Sequence, residues 1–148
     1  MPVAIDERTS LTLSRTYDVP PEAVYAAWTD AEQMTRWMAP SDDFGPTTCT
    51  LDVRVGGRYR IAFRDPAGEV HTVSGTYREV VPNRRLVYTW AWESTPERES
   101  VVTLELRPLG ARTELTLTHD RFADTEARDK HLHGWTGCLA RLGRFVSQ

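Results

Sequence analysis

Two cysteines, a single lysine and no long apolar run are what this sequence has least of. Cys49 and Cys138 stand far apart and outside any Cys-x-x-Cys pattern, so free buried thiols are expected rather than a disulfide. Met1–Ser10 carries Asp6, Glu7 and Arg8 and no apolar stretch, the pattern of neither a signal peptide nor a membrane segment. The 18 basic residues are scattered among 21 acidic ones for a net charge of -3. No basic run could follow a phosphate backbone, which excludes a general nucleic-acid binder. Also missing are a Gly-x-Ser-x-Gly elbow, a glycine loop opening a helix to cradle phosphate, and any Cys/His or carboxylate cluster of metal-ligand spacing. There is no internal repeat and no low-complexity segment. These absences imply a cytoplasmic protein, off the membrane, with no metal and no cofactor.

What is present fits one domain. The chain has 148 residues, 26 % charged and 40 % hydrophobic, an ordinary soluble balance. Residues 1–9 read as a tail and 10–148 as the domain. Leu11–Val19 alternates apolar and polar side chains, as a half-buried strand does. Pro20-Pro21 ends it, and Pro21 suits the first turn of a helix over Glu22–Thr29 that groups Val24, Tyr25 and Trp28. Asp30 can cap a second short helix through Trp37, with Met34, Trp37 and Met38 clustered. Ala39–Pro46 reads as a loop whose one large apolar residue is Phe44.

From Thr47 onward the period drops to two. Thr48–Val55, Arg58–Arg64, Val70–Val81, Arg85–Glu93, Glu99–Arg107 and Arg112–His119 read as strands. Turn residues separate them: Gly56-Gly57, Asp65-Pro66-Ala67-Gly68, Pro82-Asn83, Ser94-Thr95-Pro96 and Leu109-Gly110. Breaks this short imply antiparallel pairing. One face carries Tyr59, Ile61, Phe63, Val73, Tyr77, Leu86, Tyr88, Trp90, Trp92, Val102, Leu104, Leu106, Leu115, Leu117 and His119. The other carries Arg58, Arg60, Arg64, Thr103, Glu105, Glu114, Thr116 and Thr118, as expected for a sheet covered on one side. The cover is a long helix over Thr125–Gln148, capped by Asp124 or Thr125. Its inner stripe is Leu132, Trp135, Leu139, Leu142 and Val146, widened by Cys138 and Phe145. Lys130, His133, Gly137, Arg141, Arg144 and Gln148 lie opposite and are expected to face water. Arg128 and His131 project from the side of Trp135, so the inner face is polar at its start and apolar further on.

This order of strand, two short helices, six antiparallel strands and a long final helix resembles the START-like helix-grip (SRPBCC) fold, an α+β architecture. More narrowly it is similar to the family grouping activators of Hsp90 ATPase with polyketide-cyclase-like bacterial proteins. The stretches that carry the resemblance are Pro21-Glu22-Ala23-Val24-Tyr25-Ala26-Ala27-Trp28, Trp37, Gly56-Gly57-Arg58-Tyr59 and Asp65-Pro66-Ala67-Gly68. Gly75-Thr76-Tyr77-Arg78-Glu79-Val80 and His133-Gly134-Trp135, with the following Leu139 and Leu142, complete it. The resemblance implies a bent sheet gripping the final helix, with a cavity between them.

The residues themselves offer two readings of the inward aromatics Trp28, Trp37, Tyr59, Phe63, Tyr88, Trp90, Trp92 and Trp135. They are ordinary core, or they line a pocket in which indole and phenol edges are left for a bound molecule to satisfy. His71, His119 and His131 are the candidate polar groups, as proton carriers or as imidazoles satisfied by backbone or solvent. Arg128 would pair with a ligand acid at the cavity mouth or with Asp124 or Glu126 at the surface. Together these twelve residues are the expected ligand-binding set, and none is assigned a catalytic role. Binding of a small hydrophobic or aromatic molecule comes first among the functions. A cyclase or aromatase using His119, His131, Arg128 and Tyr88 comes second. Activation of the Hsp90 ATPase comes last, because the chain leaves no room for an additional chaperone-binding domain ahead of the helix-grip domain. A homodimer through an exposed edge strand is compatible with the pattern.

Overall fold

The computed structural model describes residues 6–148. Of the expected tail, residues 1–5 lie outside the described residues. The elements run β1 (Leu11–Tyr17), α1 (Pro21–Thr29), α2 (Ala31–Thr35), β2 (Thr48–Leu51), β3 (Arg58–Arg64) and β4 (Val70–Val81). They continue with β5 (Arg85–Trp92), β6 (Ser100–Leu109), β7 (Arg112–Asp120) and α3 (Thr125–Val146). The strands form one antiparallel sheet in the order β1-β7-β6-β5-β4-β3-β2.

The two-residue period folds as read. Tyr59, Ile61, Phe63, Leu86, Tyr88, Trp90, Val102, Leu104, Leu106, Leu115, Leu117 and His119 are all buried on the face that α3 covers. Local chemistry sets the hairpins. In the β3–β4 turn, Asp65 Oδ1 accepts from the N–H groups of Ala67 and Glu69 at 3.0 and 2.9 Å. Asn83 takes the left-handed conformation between β4 and β5 (φ 64°), and Gly110 takes it between β6 and β7 (φ 62°).

The sheet bends at β4. Its pairing with β5 slips by one residue between Tyr77 and Glu79, a bulge that re-aims the strand. Close by, a Cβ on Gly75 would lie 2.0 Å from the Thr89 carbonyl oxygen, so β5 crosses there at a distance only glycine permits. The bend makes the concave face that holds α3. Trp135 of α3 stacks on Trp28 of α1 at 6.2 Å between ring centroids and meets Trp90 of β5 at 5.2 Å. The helix is thereby clamped between the short helices and the sheet.

Several elements stop short of the sequence reading: the first strand ends at Tyr17 rather than Val19 and the final helix at Val146 rather than Gln148, and two other boundaries bear on the site. The strand expected over Thr48–Val55 stops at Leu51. Asp52–Gly57 instead folds into a tight turn, in which Gly57 N–H donates to the Arg54 carbonyl at 2.8 Å. The second short helix stops at Thr35 rather than Trp37. Asp30 caps it as expected, accepting from Glu32 N–H at 3.0 Å, but the Trp37 carbonyl is turned outward to the Arg141 guanidinium at 3.1 Å.

Candidate functional site

The side-chain chemistry of the concave face centres on two histidines. His119, next to last in β7, has no exposed surface. Trp135 Nε1–H donates to His119 Nδ1 at 2.9 Å, and an indole can only donate, so Nδ1 carries the lone pair and Nε2 the proton. That Nε2–H lies 2.7 Å from Ser100 Oγ, whose hydroxyl donates on to the Trp90 carbonyl at 3.2 Å. The result is a one-way relay that ties α3, β7, β6 and β5 together. Trp135→Phe is expected to lower unfolding free energy by about 1–2 kcal/mol in urea titrations, because it leaves buried Nδ1 without a donor.

His131, one turn into α3, has the opposite tautomer. Its Nδ1–H donates to the Ala127 carbonyl at 2.7 Å, and Nε2 accepts from both Trp90 and Trp92 Nε1–H at 3.3 and 3.0 Å. Strand alternation puts residues 90 and 92 on the same face, which is why one imidazole reaches both. Phe122 fills the space beside the two histidines, its ring centroid 4.1 Å from His119 and 4.7 Å from His131. Burial, reinforced by proximity to His131, holds the His119 pKa well below the usual imidazole range. Burial also lowers that of His131, although its bond to the Ala127 carbonyl opposes the shift. Both rings are neutral acceptors near pH 7.

These pairings correct one expectation. The indoles leave no polar edge for a ligand, because all five N–H groups are consumed inside the protein. Trp28 donates to Tyr88 Oη at 3.2 Å and Trp37 to the Ala27 carbonyl at 2.9 Å, while Trp90, Trp92 and Trp135 donate to the histidines. Tyr59 is spent in the same way on the Thr89 carbonyl at 2.5 Å.

Beside this cluster lies a cavity of about 290 Å³ between α3, the ends of β3 and β5, and the loop after α2. Phe63, Trp90 and Trp92 form the sheet wall. Lys130, His131, Gly134, Trp135 and Cys138 form the helix wall, and Met38 and Pro40 form the loop wall. Burial pushes the Cys138 thiol up to about 12, so it meets the cavity as an apolar group.

The loop wall is fastened to the helix face that was expected to meet water. Arg141 Nε donates to the Trp37 carbonyl at 3.1 Å, and Arg141 and Arg144 both pair with Asp42, the latter at 2.8 Å. Thr47 Oγ1 donates to the Met38 carbonyl at 2.8 Å. At Gly137 the contact is backbone to backbone, since a Cβ there would sit 1.8 Å from the Pro40 carbonyl oxygen. Gly137 and Arg141 are therefore packing and anchoring positions, and Lys130 stands at the cavity rim.

Of the twelve residues expected at the site, Phe63, Trp90, Trp92, His131 and Trp135 line the cavity. His119 lies behind it, and Trp28, Trp37, Tyr59 and Tyr88 are buried core outside its walls. Arg128 does not reach the mouth. Its Nε lies 3.0 Å from Asp129 Oδ1, an ion-pair distance, yet is buried without a hydrogen-bond partner, and it pairs with neither Asp124 nor Glu126. His71 lies on the β3–β4 hairpin, its Nε2 2.9 Å from Asp65 Oδ2. With Glu69 these two form a carboxylate–imidazole cluster, ligand atoms within 4.8 Å, that sequence spacing did not reveal. The wall residues missed in the sequence are Met38, Pro40, Lys130, Gly134 and Cys138. One signal was available: three glycines inside one helix, Gly134, Gly137 and Gly143, each costing about 1 kcal/mol against alanine, imply that something comes close.

Both nitrogens of His119 and of His131, the imidazoles considered for ring-closing chemistry, are engaged by protein groups. The arrangement presents a largely apolar, aromatic-walled hollow.

A bent antiparallel sheet gripping a long C-terminal helix, with two short helices after the first strand, defines a START-like helix-grip protein. The sequence profile described as "Activator of Hsp90 ATPase homolog 1-like protein" matches residues 18–147, and the chain belongs to that family. Among solved structures it is similar to protein CV1439 from Chromobacterium violaceum, with 29 % identity and a TM-score of 0.83 over 95 % of this chain and 98 % of that one. Protein NE0264 from Nitrosomonas europaea is 25 % identical with a TM-score of 0.82, over 99 % of both chains. CalU16 from Micromonospora echinospora is 30 % identical with a TM-score of 0.70, over 93 % of this chain and 76 % of that one. Comparison with curated proteins finds no match. Among the described residues, no helix is long and apolar enough to cross a membrane.

Proposed function

We propose that this protein binds one small, largely apolar molecule of aromatic character in the cavity between β5, α3 and the loop after α2. The observation that carries the reading is that the wall indoles and His131 are already hydrogen-bonded to protein, so the hollow offers surface but asks for no polar partner. Apolar hollows take apolar guests, and an enclosed one of about 150 Å³ accepts benzene. At about 290 Å³ this one suits two fused rings or a compact chain of similar bulk. Binding ranks ahead of catalysis because the two imidazoles that would shuttle protons are committed. The two free thiols suit a reducing compartment, and we take the cytoplasm as the place of action.

Trp90, Trp92 and Trp135 line the cavity, so an apolar guest that does not itself absorb near 280 nm is expected to shift and quench tryptophan emission. Native mass spectrometry should show one guest per chain. Gly134→Leu, which fills the hollow from the helix side, should abolish both signals while the protein stays folded. An unchanged spectrum and mass across cyclic guests of one and two rings would end this reading.

A further inference from the structure

We infer that the ligand is an amphipathic monoanion: a one- or two-ring apolar body seated in the cavity, with a carboxylate held at the rim by Lys130. The inference rests on the cavity reading and adds the polar end. A second hollow of about 320 Å³ adjoins the first and shares Trp90, Trp92, Lys130 and His131 with it, so the two meet along that rim. Their characters differ. The first is walled by apolar groups, while the second also holds Arg98, Ser100, Asp124 and Glu126.

The sign of the head group follows from where the charges lie. Among the described residues, Lys130 is the only charged one on the apolar cavity, and no Asp or Glu lines it. Asp124 and Glu126 face only the outer cleft, and each is already engaged. Asp124 Oδ1 caps the helix by accepting from Ala127 N–H at 2.8 Å, with Arg98 3.8 Å from its other oxygen. Glu126 holds Lys130 Nζ at 3.2 Å, in a pair whose side chains are 77 % and 75 % exposed. An exposed pair one helical turn apart is weak and exchangeable. A ligand carboxylate at the rim would take the ammonium from Glu126. A cationic head would meet the Lys130 ammonium, with Glu126 already paired to that ammonium and Asp124 already engaged by the helix cap and Arg98. Lysine also suits the task mechanically, because its flexible stem can lie along Trp92 or swing outward while the charge stays in water. In a chain otherwise confined to arginine, its one lysine stands at this rim.

Isothermal titration calorimetry at pH 8 and low salt, with three probes of one ring system, tests this: 2-naphthoate, 2-naphthylmethanol and 2-naphthylmethylammonium. The carboxylate is expected to bind about fivefold tighter than the alcohol, the upper range for an exposed ion pair, and the ammonium more weakly than the alcohol. The preference should shrink to within about twofold in Lys130→Gln and persist in Lys130→Arg. Equal binding of carboxylate and alcohol by the unaltered protein would overturn the anionic head and leave the cavity reading standing. A preference that survives Lys130→Gln would overturn the role of Lys130. Failure of all three probes to bind would overturn both.

Discussion

Gly137→Ala is expected to lower unfolding free energy by about 2–3 kcal/mol, the upper range for forcing an extra carbon into a packed interface. The added Cβ would fall 1.8 Å from the Pro40 carbonyl oxygen and 2.7 Å from its carbon. These are backbone atoms, so no side-chain rotation relieves the clash and the loop itself must lift. Because Met38 and Pro40 form one wall of the cavity, ligand affinity should fall with stability. The control lies three residues earlier. A Cβ at Gly134 would meet only the Pro40 Cβ at 4.0 Å, an ordinary contact. Gly134→Ala should therefore be neutral or stabilising by up to about 1 kcal/mol, the helix-propensity difference between the two residues. Urea titrations of the two variants should move the midpoint in opposite directions. Equal shifts would mean that loop contact does not distinguish these positions.

Acid should destabilise the protein well before its carboxylates titrate. Below the ordinary imidazole value of 6.5 the unfolded chain protonates at positions 119 and 131, whereas the folded chain, with both pKa values lowered by burial, does not. The unfolded state then binds more protons, so stability is fully present above pH 6.5 and falls as pH drops beneath it. Each ring contributes up to about 1.4 kcal/mol between pH 8 and pH 5.5, the limit for an imidazole that stays neutral throughout in the fold. Geometry gives the same sign, because a proton on His131 Nε2 would face two indole N–H donors at once. The ion-paired carboxylates respond in a separate window. Arg144 lowers the pKa of Asp42, His71 that of Asp65 and Arg60 that of Glu93, so their contribution is lost only below 3.8 for the aspartates and 4.5 for the glutamate. In His131→Gln, whose amide oxygen can still accept from the indoles, the fall between pH 8 and 5.5 should be smaller, and what remains is the larger share that His119 carries. Unfolding titrations at half-unit pH steps measure both. A flat profile down to pH 5 would show that these rings do not stay neutral in the fold.

The fold was legible because its signals are local. Alternation over seven strands names the buried face, the turns Asp65-Pro66-Ala67-Gly68 and Pro82-Asn83 punctuate it, and the stripe from Leu132 to Leu142 names the helix that covers it. The site was legible only in part. The inward direction of Trp90, Trp92, His131 and Trp135 follows from period alone, but what each polar edge meets does not. His131 and its two indole donors are 41 and 39 residues apart. His119 meets Ser100 and Trp135 at separations of 19 and 16. Whether such groups face one another or a guest depends on how far the sheet bends and how the helix is rotated within it, and no short-range pattern encodes either. Arg128 shows the same limit: period put it on the inner side, yet a neighbouring aspartate holds it.

By itself the sequence determined the seven-stranded sheet, its covered face, the capped final helix and the aromatic character of the space between them, because periodicity, capping and turn chemistry act over a few residues. The tertiary structure decided the rest. It folded the Ala39–Pro46 loop onto Gly137 to wall a cavity, closed every indole N–H onto a partner inside the protein and brought Lys130 to the rim. Those outcomes depend on the curvature at Gly75 and the β4 bulge, where backbone from distant parts of the chain competes for the same few ångströms.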